Sequence, residues 1–134
     1  MKKLLIMGVV TALATGLPLG AFAQSQATKE VSTAHTHAVL AQSATPLAMA
    51  QLHLHHVVNC LVGPKGSGFD AAAGNPCKGQ GDGAIKDGAS DSALEAKLKS
   101  ALAYAQSGLK STSLATVQED AGKAAAALGT APSP

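Results

Sequence analysis

Alanine dominates the apolar content of this chain, and that constrains its fold more than any other feature. Side chains so small make a core only where helices approach one another closely. Large apolar residues are few, and beyond the N-terminal leader the aromatics are Phe69 and Tyr104. Each helix contact then buries little area, so a further constraint on the chain is expected. Cys60 and Cys77 supply one. In an oxidising compartment they pair, and closing that loop restricts the unfolded chain by an entropy term on the order of 3 kcal/mol. The sequence has neither CxxC nor CxxCH, which argues against a redox pair and against covalent haem.

Residues 1–23 read as a secretory signal peptide. Met1-Lys2-Lys3 is a short positive start, Leu4 to Leu17 is an apolar run, and Ala21-Phe22-Ala23 is the small-x-small pattern that precedes cleavage. The run is short for a membrane span of about 20 residues, and Gly16, Pro18 and Gly20 interrupt its end. A mature product without stable membrane insertion is expected, in a bacterial-type periplasm or secreted. Cleavage also removes Lys2 and Lys3, so eight lysines face eight Asp and Glu. With balanced charge, no arginine and few aromatics, nucleic-acid binding is not expected.

The rest divides into a flexible leader at 24–29, one helical domain at 30–129 and a disordered tail at 130–134. A first helix is expected over about 30–42, with Val31, His35, Ala38 and Val39 on one side. Thr45-Pro46 reads as N-cap and first helical position of a second helix, which Gly63-Pro64 stops. Glycines at 63, 66, 68, 74, 79, 81, 83 and 88 then mark a long loop. Ser92-Ala-Leu-Glu95 has capping-box spacing, and Leu94, Leu98, Ala101, Leu102 and Ala105 continue a helix toward Gly108, with Glu95 and Lys99 paired outside. Leu114, Val117, Ala121, Ala124 and Leu128 form a last stripe ending at Gly129, weakened by Gly122. The expected fold is all-α: a small antiparallel bundle of about four helices in two pairs, joined by the Gly-rich loop, with one disulfide securing that loop's base.

The unusual chemistry lies on the second helix. At 100° per residue Met49, His53, His56 and Cys60 fall within about 60° of one another, beside a core face of Leu47, Ala50, Leu54, Val57, Val58 and Leu61. Imidazole serves copper, zinc, nickel and cobalt, and a thioether adds preference for copper. Two histidines at i, i+3 rarely complete a site. The missing ligand is expected from the first helix, from His35 in preference to His37 because His35 shares the side of Val31 and Ala38. His55 points toward the rim, Met49 is either core filling or a ligand, and Asn59 is placed to satisfy backbone groups of the loop. Affinity is expected to fall below about pH 6 as imidazoles protonate.

Other chemistries find less support. Aligning Gly83 with the required glycine of a calcium-binding EF-hand loop puts Lys78 and Ala89 at the two end-ligand positions, where neither can bind. There is no GxSxG elbow and no acidic residue tied by spacing to a histidine, so an enzyme is not expected. The leading expectation is a small periplasmic or secreted protein holding one copper- or zinc-class ion through His53, His56, His35 and Met49, with His37 and His55 secondary, serving a metal-handling or other periplasmic partner. The alternative is a structural or partner-binding helical module. A non-covalent haem bundle comes third, for want of large apolar walls.

Overall fold

The computed structural model describes residues 19–129. They form a helical bundle of five helices, with no strand among the described residues: α1 Leu19–Ser43, α2 Leu47–Val62, the four-residue α3 Ala84–Asp87, α4 Ser92–Leu109 and α5 Leu114–Leu128. Helix α1 packs on α2 and α5, while α4 packs on α5 and α2. Alanines make these approaches possible. Ala27, Ala34, Ala38 and Ala41 of α1 are fully buried, as are Ala101 and Ala105 of α4 and Ala121 and Ala124 of α5. Leu54, Val57 and Leu61 of α2, with Leu98 and Val117, fill the space between them.

The boundaries show which punctuation governs. Gly63 and Gly129 end α2 and α5 with φ near 70°, as their place after each apolar stripe predicts. Two starts are displaced by one residue. Pro46, not Thr45, is the N-cap of α2, and its carbonyl accepts from Met49 and Ala50. Asp91, not Ser92, caps α4, because its carboxylate oxygen accepts both the Ala93 and Leu94 N–H groups at 3.0 Å. Glu95 still pairs with Lys99, at 2.6 Å. Gly108 does not end α4 but lies buried inside it, where a Cβ would come within 2.6 Å of Leu54 Cδ1.

Three further expectations need correction. Residues 24–29 are helical rather than loose, and Ala27 anchors them in the core. Val39 is on the outer side of α1, 44% exposed, because the stripe of buried alanines is centred away from it. The Gly-rich stretch contains α3, too short for a periodic pattern to reveal. Residues 1–18 of the leader and the tail from 130 lie outside the described residues, while 19–23, through the Ala-Phe-Ala motif, are the first turn and a half of α1.

Between α2 and α3, residues 63–83 carry only turns and bends, and the ends of this segment meet. A Cβ on Gly63 would collide with the Asp82 carbonyl, and one on Gly83 would lie 2.6 Å from Gly63 N, so both positions require glycine. The Cys60–Cys77 disulfide, with Cα atoms 5.3 Å apart, ties the segment to α2. Glu30 ties it to α1: its side chain is buried and Oε1 accepts the Gly83 N–H at 2.9 Å. Burial, with Asp87 and Asp82 nearby, pushes the Glu30 carboxyl up to about 7, against the opposing pull of that N–H.

Candidate metal centre

His53 and His56 are one turn apart on α2, and α1 lies against that face. The histidine it delivers is His37. Its Nδ1 is 3.1 Å from His53 Nδ1 and 3.3 Å from His56 Nδ1. The three residues, all half-buried, can each offer one nitrogen such that the set lies within 4.8 Å of one another. Metal–nitrogen bonds of about 2.0–2.1 Å around a tetrahedral ion place neighbouring nitrogens about 3.3 Å apart. The two short separations match that edge.

The protons on these rings can be assigned from what they face. His56 Nε2 lies 2.7 Å from the Ala73 carbonyl oxygen, which only accepts, so Nε2 carries the proton. In the neutral ring, Nδ1 then holds a lone pair directed at His37. His37 Nδ1 in turn has a single in-plane position, a proton or a lone pair, for two neighbours. Hydrogen bonding therefore satisfies at most one of the two short contacts well. One cation among the nitrogens would take a lone pair from each of the three rings.

Electrostatics favour the neutral, ligating form. Burial, followed by the neighbouring His56 and His53 rings, lowers His37 to about 4. Burial and then His56 also hold His53 below its usual value. A limit near pH 6, expected from ordinary imidazoles, thus does not come from His37.

The remaining sequence candidates are placed elsewhere. His35 is absent from the cluster: it flanks the buried stripe of α1 on one side, whereas Glu30 and His37 flank it on the other. Met49, one turn before His53, is 44% exposed and so is not core filling. His55 lies at the rim, with Nδ1 3.3 Å from an Asp70 carboxylate oxygen. Cys60 and Cys77 are joined to each other and free for no ion. Asn59 meets loop backbone as expected, donating to the Asp70 and Gly74 carbonyls and accepting from Asp70 N–H. The side shared by Val31 and Ala38 puts His37 behind His35 in the sequence. The signal that favours it is the spacing of Ala27, Ala34 and Ala41, which recentres the buried stripe and brings His37 to its edge.

A separate cavity of about 410 Å³ is bounded by α1, the start of α4 and the end of α5, with Thr28, Val31, Leu94, Lys97 and Leu128 in its walls. No histidine lines it. No protein family, curated protein or solved structure matches the chain.

Proposed function

We propose that this protein binds one transition-metal ion, of the zinc or copper class, through His37, His53 and His56. The observation that carries the reading is the convergence of three Nδ1 atoms, with the opposite nitrogen of His56 held by a main-chain carbonyl. A histidine ligand commonly donates its second ring N–H in this way, which fixes the tautomer and raises ligand basicity. Three neutral imidazoles bind borderline ions without a carboxylate.

Export to a periplasm or to the exterior belongs to the same proposal. It rests on the leader motif and on the Cys60–Cys77 disulfide, which persists in oxidising compartments. No helix among the described residues is long and apolar enough to cross a membrane. An exported metal-binding protein would serve a periplasmic metal-handling partner. A partner-binding module without metal is the second reading, and Val39, Leu40 and Met49, each 42–44% exposed, favour it.

Titration of the oxidised protein with zinc and with copper, beside single variants, tests the assignment. His37→Ala, His53→Ala and His56→Ala each lose affinity by at least tenfold, whereas His35→Ala keeps it. Equal, weak binding by all five proteins overturns the metal reading and leaves the second.

A further inference from the structure

His56 can serve as a ligand through Nδ1 only while its proton stays on Nε2, and what keeps it there is the carbonyl of a residue in an otherwise irregular segment. The carbonyl of Ala73 therefore needs its own support. Asn59, one turn beyond His56 on α2, is fully buried and spends its whole amide on the residues that bracket Ala73. Its Nδ2 donates to the Asp70 carbonyl at 2.7 Å and to the Gly74 carbonyl at 2.6 Å, and its Oδ1 accepts the Asp70 N–H at 2.8 Å. Between those anchor points, the Asp70 carboxylate accepts from Ala72 N–H at 2.9 Å and from Ala73 N–H at 3.3 Å, which sets the direction of the turn. The same few residues thus receive both the imidazole and the amide from adjacent turns of one helix.

We propose that Asn59 is a positioning residue of the metal centre: it holds residues 70–74 on α2 so that the Ala73 carbonyl keeps the His56 proton on Nε2 and leaves Nδ1 bare toward His37 and His53. The proposal rests on the metal reading for its purpose, but not for its geometry. An amide is required because the site presents two acceptors and one donor. A carboxylate of the same shape has no proton for either carbonyl, and an aliphatic side chain offers neither function.

The experiment follows the imidazole nitrogens by NMR in the metal-free, oxidised protein at neutral pH and measures zinc affinity on the same samples. In the natural sequence, His56 shows a proton on Nε2 that exchanges slowly with solvent. In Asn59→Asp, with helical circular dichroism intact, that protection disappears, both tautomers are populated and zinc affinity falls by about 10–100-fold. If the buried carboxylate prevents folding, Asn59→Ala, which introduces no charge, is read in the same way. A His56 proton on Nδ1, or an unprotected one, in the natural protein overturns the proposal. So does a folded variant with natural protection and affinity. A protected Nε2 proton that Asn59→Asp abolishes, in a protein that binds no zinc, instead overturns the metal reading while upholding the role of Asn59 toward the ring.

Discussion

His37 and Glu30 lie two turns apart on the same flank of α1, and burial moves their proton affinities in opposite directions. For His37 the folded value of about 4 lies below the unfolded 6.5, so the unfolded chain takes up the proton first and stability falls as pH drops from about 6.5 to about 4. For Glu30 the folded value of about 7 lies above the unfolded 4.5, so the unfolded chain releases its proton first and stability falls as pH rises from about 4.5 to about 7. Glu30 Oε2 is also the buried side-chain oxygen without a hydrogen-bond partner among the described residues. A neutral amide removes the alkaline penalty. Glu30→Gln, whose oxygen still accepts from Gly83, is expected to gain stability over the natural protein as pH goes from 5 to 8, by on the order of 2–3 kcal/mol in urea unfolding. A constant difference across that range would show that Glu30 does not titrate in it.

At the scale of the element, close helix approach depends on individual small residues. Gly108 is the sharpest case, since Leu54 of α2 occupies the space where its Cβ would be and Asp120 Cβ lies only 3.3 Å from that point. Gly108→Ala would raise intrinsic helix propensity by about 1 kcal/mol, yet overpacking costs typically 1–3 kcal/mol. A net loss of stability on thermal unfolding is the expected outcome, and a gain would mean that α2 and α4 can separate without penalty. Apolar stripes made α2, α4 and α5 legible in the sequence almost to the residue, with glycines marking the ends of α2 and α5. The extent of α1 was not, because polar residues 24–29 carry no stripe of their own and Ala27 is the one among them that is buried. The choice between His35 and His37 failed for a related reason. They stand on opposite flanks of the buried stripe: centring it on Val31, Ala38 and Val39 draws it toward His35, whereas the burial of Ala27, Ala34 and Ala41 recentres it toward His37.

At the scale of the whole molecule, the two pairs α1–α2 and α4–α5 are joined through a segment whose ends are pinned by the Gly63–Gly83 contact and whose interior is pinned by Asn59, His56 and Cys77. Reduction of Cys60–Cys77 frees the last of these. With a sequence separation of 17, its loss is expected to lower stability by about 3 kcal/mol, measured as a shift of the urea midpoint with and without a dithiol. An unchanged midpoint would mean that the other contacts suffice.

The same bridge changes what a broken chain means. Lys65 is exposed, three residues past the end of α2 and inside the stretch spanned by the disulfide. A tryptic cut there severs the backbone, but Cys60 on one fragment and Cys77 on the other still hold both as one covalent molecule. Limited digestion at Lys65 should therefore leave a single band on a non-reducing gel and two on a reducing one. Anywhere outside the stretch from Cys60 to Cys77, one cut makes two molecules. The segment bearing Ala73 and Asp70 can be opened without letting its halves drift apart.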